Sequence, residues 1–336
     1  MENAVTLDRV SKSYGATKAV QGLSFEIRAG EMFGLIGPDG AGKTTLIRLM
    51  CGLLRPDAGG IQIFGRDPVR DHRAVTEMVG YLSQRFSLYG DLSIDENVAF
   101  FAEIHGVREY GSRRDRLLEM TQLLPFRTRR ADRLSGGMKQ KLALACTLVH
   151  EPRLIVLDEP TTGVDPVSRR EFWKLLSEFL GEGLTIVMAT PYLDEAERCG
   201  RVALLHDGQL LALDEPGALQ AAHPGGLIEV IAAPHRRAAE ALATVAGVAD
   251  VQLFGERAHV RLAEDAGAGA RERIDAALRA LSGLTVTSVR PIEASLEDVF
   301  IDRVRSGRDS GLGTPAFAEA TAGSPKLDER RRRDSG

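Results

Sequence analysis

A chain of 336 residues with 43 basic and 47 acidic side chains, net charge -4, has room for one large domain and a smaller companion, and lacks the global basic field that would point to nucleic acid. Cys51, Cys146 and Cys199 fall in apolar or helical contexts without metal-ligand spacing, which reads as buried thiols in a reducing compartment rather than a zinc site or a disulfide set. The start, MENAVTLDRV, shows no basic leader followed by an apolar stretch, and no segment approaches the roughly 20 apolar residues that cross a bilayer, so the expected location is cytoplasmic and any membrane role is borrowed from a partner.

In chain order, residues 5–10 and 23–27 alternate apolar with polar and suggest an antiparallel layer, joined later by 60–63. Residues 32–36 form a short apolar strand, and a helix is predicted over 44–51. Between them lies GPDGAGKTT, in which Gly37, Gly42, Lys43 and Thr44 meet the G-x-x-x-x-G-K-[ST] pattern. A loop of Gly37, Pro38, Asp39, Gly40, Ala41, Gly42, Lys43, Thr44 and Thr45 wraps nucleotide phosphates with its backbone N–H groups. Its lysine reaches the β and γ oxygens, its hydroxyl helps hold magnesium, and the helix that follows turns its positive end to the anion.

A strand at 79–82 ends near Gln84, a polar amide suited to sensing a ligand, and helices fit 94–104, 110–123 and 136–149. The last of these opens at LSGGM, where Ser135, Gly136 and Gly137 turn helix-terminal amides outward, a geometry suited to a phosphate. Strands at 154–157 and 185–188 are almost continuously apolar, as in a parallel sheet covered on both faces. Asp158 closes the first of them with Glu159 next, which would set one carboxylate toward magnesium and the other toward the water that attacks the γ-phosphate. Helices at 166–180 and 193–198 and strands at 201–205 and 209–212 complete an α/β unit over residues 1–220.

After HPGG at 223–226 the pattern runs strand 227–232, helix 236–242, strands 250–254 and 258–262, helix 270–281 and strand 284–290. This βαββαβ order suggests a small ferredoxin-like domain over 227–304, closed by a helix at 295–304 capped by Ser295. From 306 to 336 the composition is that of a disordered tail, and its run from Arg330 to Arg333 reads as a solvated one.

Taken together, the chain resembles the ATP-binding subunit of an ABC transporter, and more narrowly the ABC-2 type exporters whose ATPase carries a small C-terminal domain. The resemblance covers residues 1–305 and rests on motifs in the family's order: the aromatic of SKSYG, Walker A, the loop with Gln84, LSGGM, Walker B with its glutamate, and TTGVDP ending near Asp165. It implies a P-loop fold with an antiparallel layer and a helical subdomain, and ATP and Mg²⁺ as ligands. Tyr14 would stack on adenine, Gln84 would touch magnesium and the attacking water, and Lys43, Gln84 and Glu159 would carry the chemistry. Thr44, Gln84 and Asp158 would hold the metal. Ser135, Gly136 and Gly137 would take the nucleotide of a second ATP-binding domain, alike or related, with Asp165 at that seam. ABC-2 type permease subunits are the implied membrane partner and would keep the chain on the inner face of the membrane. Phe86, Leu88 and Tyr89 are the candidate contacts, and no nucleic-acid partner is expected.

One departure stands out. Where the family has a histidine after the strand that follows Walker B, MATPYLDEAE places Pro191, which cannot donate a hydrogen bond to a phosphate. Retained hydrolysis through Glu159 and Gln84 is the preferred expectation. Its rivals are an ATP-binding module with little turnover, and a soluble scaffold ATPase of translation or DNA repair, which would usually carry two ATPase domains or a long coiled coil.

Overall fold

The computed structural model describes residues 2–84, 87–263, 266 and 269–309, and divides them into two compact units, 2–192 with 201–213, and 193–200 with 214–305. Phe86 and the tail from 310 lie outside the described residues.

The first unit opens with strands β1 (Asn3–Tyr14) and β2 (Thr17–Arg28), an antiparallel hairpin. Next come the wholly buried β3 (Met32–Ile36), helix α1 (Lys43–Met50) and β4 (Ala58–Ile63), which pairs antiparallel with β1. The expected separate layer is therefore a three-stranded sheet of order β2-β1-β4. Helix α2 (His72–Met78), which the sequence pattern did not suggest, leads into β5 (Val79–Leu82). Helices α3 (Ile94–Ile104), α4 (Gly111–Met120) and α5 (Gly136–Leu148) follow, then β6 (Leu154–Asp158), α6 (Pro166–Gly181) and β7 (Thr185–Thr190). The expected helix over 110–123 is shorter, ending at Met120 before a separate 3-10 turn at Leu124–Phe126 that carries Pro125. Proline has no N–H to continue the ladder.

The second sheet has the order β5-β6-β7-β3-β8-β9, in which β8 is Arg201–His206 and β9 is Gln209–Asp214. Pairings from β5 through β8 are all parallel, so the carboxyl ends of β3, β5, β6 and β7 share one edge. Every residue of β3, β6 and β7 is buried, as their almost continuously apolar sequences require of strands covered on both faces. Phe33, Leu35, Leu46, Ile47, Leu49 and Met50 tie β3 and α1 into the core beside Val156 and Val187. All three cysteines are buried free thiols, as read from sequence.

The second unit contains the short helices α7 (Leu193–Ala196) and α8 (Pro216–Ala221), then β10 (Leu227–Ala233), α9 (His235–Leu242), β11 (Val248–Phe254), β12 (Arg257–Leu262), α10 (Ala270–Arg279), β13 (Thr285–Ile292) and α11 (Leu296–Asp309). Its antiparallel sheet has the order β11-β12-β10-β13, the ferredoxin-like arrangement that the βαββαβ succession suggested. Ile228, Val230, Ala258, Val260, Ile274 and Leu278 make its apolar core. Helix α11 runs beyond the expected end at 304, so residues 306–309 are helical.

Polar bonds fix the start of α11. Ser295 and Asp298 cap each other, the Ser295 N–H and hydroxyl donating to the Asp298 carboxylate at 2.9 and 2.6 Å, while His259 Nδ1 lies 2.8 Å from its other oxygen. Burial alone would raise the Asp298 pKa, but the bonds from Ser295 and His259 outweigh it and hold the carboxyl below its ordinary 3.8. Glu229, bonded by Arg290, is likewise held below its ordinary 4.5. A depressed carboxylate stabilises the fold above its unfolded pKa and ceases to as pH falls through the folded value. Hydrogen exchange followed by mass spectrometry should therefore show α11 protected at pH 5 to 7 and progressively released below about pH 4. Asp298→Asn should cost about 1–2 kcal/mol at pH 7 and flatten that acid response. An unaltered response would remove Asp298 as its origin.

Candidate functional site

The phosphate loop leaves the carboxyl end of β3, the strand between β7 and β8, and enters α1. Two glycines are dictated by space. A Cβ on Gly37 would lie 2.2 Å from the Leu205 carbonyl oxygen, and one on Gly42, at φ 99°, would lie 2.2 Å from that of Ala19. No L side chain fits either, so the loop backbone stays bare where phosphates would approach. Pro38, Asp39 and Gly40 are exposed at the tip, whereas Ala41 is buried. The Ala41 carbonyl accepts the Gly208 N–H at 3.2 Å from the β8–β9 turn, where Asp207 and Gly208 both have positive φ. That Asp-Gly turn between two apolar strands is a hairpin signal whose role behind the loop the sequence reading missed.

Lys43 is 4% exposed, and its ammonium donates to the carbonyls of Gly37 and Pro38 at 2.8 and 3.1 Å. It also lies 3.4 Å from Glu159 Oε1. Glu159 Oε2 accepts from Gln84 Nε2 at 2.9 Å, so the carboxylate is held from both sides by groups delivered from the ends of β3 and β5. The backbone of Glu159 sits at φ 50°, an uncommon conformation for a non-glycine residue, anchored by its N–H to the Ala189 carbonyl at 2.9 Å. One residue earlier, buried Asp158 accepts from the Thr44 hydroxyl at 3.0 Å. Burial pushes the Asp158 pKa up, helped by the neighbouring Glu159 charge, while Thr44, Arg48 and Lys43 oppose it. A carboxylate, a hydroxyl and an amide oxygen form a hard oxygen donor set, and a cation there would offset the cost of burying the Asp158 charge. The residues fit magnesium.

Of the predicted residues, Lys43, Thr44, Gln84, Asp158 and Glu159 thus meet in one constellation. Thr45 lies in the first turn of α1. Ser135 opens α5 by accepting the Met138 N–H at 3.3 Å, and Ser135 and Gly136 face solvent. Tyr14 ends β1 and is 47% exposed. Asp165 caps α6, accepting from the N–H groups of Val167 and Ser168 at 3.0 Å each. Gln140, the last residue of the LSGGM-K-Q motif and one given no role from sequence, is fully buried and donates to the Pro160 carbonyl at 2.7 Å, tying α5 to the segment just past Glu159. Pro191 follows β7, where the Tyr192 N–H donates to the Thr190 hydroxyl at 3.0 Å. His150 is stacked on His105 with centroids 3.8 Å apart, and His206 lies 3.4 Å from Asp207.

Residues 20–162 match the family model described as ABC transporter. The chain is 37% identical over 304 residues to the Nod factor export ATP-binding protein I of Paraburkholderia xenovorans, covering 89% of this chain and 96% of that protein. The chain belongs to the ABC transporter ATP-binding proteins. Within this ABC family it is also 39% identical to the probable multidrug ABC transporter ATP-binding protein YbhF of Escherichia coli, over 96% of its own length but 55% of that relative, so it spans about half of it. Among solved structures it is similar to the dimeric post-hydrolysis ATP-binding cassette MJ0796 bound to ADP and Pi, with TM-score 0.56, 26% identity, and coverage of 63% of this chain and 98% of that one. No helix among the described residues of this ABC protein is long and apolar enough to cross a membrane.

Proposed function

We propose that this chain binds Mg-ATP and hydrolyses it to ADP and phosphate, driving separately encoded ABC-2 type permease subunits of an exporter. The observation that carries the reading is the Glu159 carboxylate held between Gln84 and Lys43, one residue from the Thr44–Asp158 pair. Tyr14 stacks on adenine, and the loop from Gly37 to Thr45 takes the phosphates. Thr44, Asp158 and Gln84 would hold magnesium, which would neutralise charge developing in transfer. Glu159 orients the attacking water and accepts its proton, with Gln84 fixing the carboxylate, while Lys43 offsets the negative charge on the γ-phosphoryl oxygens.

A second ATP-binding domain completes the site. The dimeric state of the MJ0796 cassette supports a sandwich in which Ser135, Gly136 and Gly137 take the partner's nucleotide, with Asp165 at the seam. Export is supported by the relatives, one named for a multidrug transporter and one for Nod factor export. Docking to the permease, on the inner face of the membrane, falls on the stretch between Gln84 and Gly106. Tyr89 there is 45% exposed and edge-on to Phe100, Leu88 is half-buried, and Ile104 is 62% exposed. Residues 1–220 form the ATPase domain and 227–304 a regulatory or dimerisation domain.

Pro191 favours one second reading, a site that mainly closes on ATP while a related partner does most of the cleavage. Steady-state phosphate release by the native chain and by Pro191→His separates the two. Retained hydrolysis predicts measurable native turnover and a histidine variant within about tenfold of it. No native turnover with a gain in the variant would establish the second reading. For the transport role, the detergent-solubilised chain should co-purify with a polytopic membrane protein that alters its ATPase rate; a purely soluble complex would refute that role.

A further inference from the structure

The hairpin carrying Tyr14 is irregular where it matters. Along β1 the pairing with β2 shifts register between Val10 and Lys12 and again between Lys12 and Ser13, before Tyr14 pairs with Thr17 across a two-residue turn. The ladder to β4 stops at Ser11, opposite Ala58. Beyond that point the backbone of β1 lacks a third strand, and half-exposed Tyr14 gains little positioning from packing.

Asp57, the residue just before β4, takes over from the ladder. Its N–H donates to the Ser11 carbonyl at 2.8 Å. One carboxylate oxygen accepts the Ser13 N–H at 2.7 Å, and the other accepts from Lys12 Nζ at 2.7 Å. These bonds hold three consecutive residues immediately before Tyr14. On the far side of the turn, the carbonyl of Ala19 lies where a Cβ of Gly42 would sit, so the same hairpin abuts the phosphate loop. Asp57 itself follows α1, the helix that the loop opens. A short path of covalent and hydrogen bonds therefore joins the phosphate cradle to the aromatic ring.

We propose that Asp57 is a positioning residue for nucleotide binding, fixing the Lys12–Ser13 backbone so that Tyr14 stands at the right height above the phosphate loop to stack on the base. The proposal rests on the reading of Tyr14 as the adenine platform. Asp57 does not touch ATP. It lowers the cost of ordering the platform, so its contribution depends on the base and not on the phosphates.

Calorimetric titration of the full chain with Mg-ATP and, separately, with magnesium tripolyphosphate tests this. Asp57→Ala should weaken ATP binding about three- to tenfold and leave tripolyphosphate unchanged. Asp57→Asn, which keeps an oxygen for the Ser13 N–H, should restore most of the loss. In a Tyr14→Ala background, Asp57→Ala should have no further effect. Unchanged ATP affinity in Asp57→Ala, equal weakening of tripolyphosphate, or a full effect persisting without Tyr14 would each overturn the proposal. If Tyr14→Ala alone leaves ATP binding intact, the adenine-platform reading fails, and that result is visible independently of any Asp57 variant.

Discussion

Glu159→Gln is expected to lower phosphate release by about 100-fold or more while leaving Mg-ATP binding within a few-fold of native. The amide keeps the size of the carboxylate and can still meet Gln84 through its oxygen, but it cannot take a proton from water. It also removes the charge facing Lys43 at 3.4 Å, freeing that ammonium for phosphate oxygens. The variant should therefore accumulate with ATP uncleaved, which size-exclusion chromatography would detect as a longer-lived dimer. Single-turnover assays with radiolabelled ATP separate cleavage from product release. Native turnover in this variant would move the chemistry to another group.

The second large effect is expected at Lys43. Its ammonium is 4% exposed and holds the Gly37 and Pro38 carbonyls while facing Glu159. Lys43→Met keeps most of the volume and removes every donor. ATP affinity should fall by about 30-fold or more, because the phosphate charge would meet a buried site without its cation, and Glu159 would be left with Gln84 alone. Magnesium tripolyphosphate should lose affinity to a similar degree, in contrast with Asp57→Ala, since this lysine acts on phosphate whatever the base. Tight binding of both ligands by Lys43→Met would mean that the loop amides suffice.

Much of the fold was legible because local chemistry and global architecture agree. The apolar runs of β3, β6 and β7 need cover on both faces, and Gly37 and Gly42 of the phosphate loop stand where no Cβ fits. The constellation of Lys43, Thr44, Asp158 and Glu159 could be anticipated because each sits at a strand end or loop whose pattern announces itself. Helix α2 could not, since HRAVTEM buries only Val75 and offers no apolar stripe. The role of Gln140, a residue of the LSGGM-K-Q motif, and that of Asp57 could not be read for another reason. Each acts through a backbone group brought near by tertiary structure, Pro160 for one and Ser13 for the other, and no local periodicity encodes such a meeting. The end of α11 was misplaced because glycine and charge in its last turn read as tail, although the helix continues through them.

The phosphate loop is walled by the Ala19 carbonyl before it in sequence, and by Leu205 and Gly208 long after it. During synthesis the nucleotide cradle therefore cannot close when Gly42 leaves the ribosome; it waits for β8 and the turn beyond. At typical elongation rates that interval is on the order of ten seconds. Through it the nascent chain carries a complete phosphate motif without the walls that give it shape, so ATP becomes a ligand of this protein only once nearly the whole parallel sheet exists. Nucleotide binding then reports on finished assembly, and ATP stabilises completed sheets over partial ones.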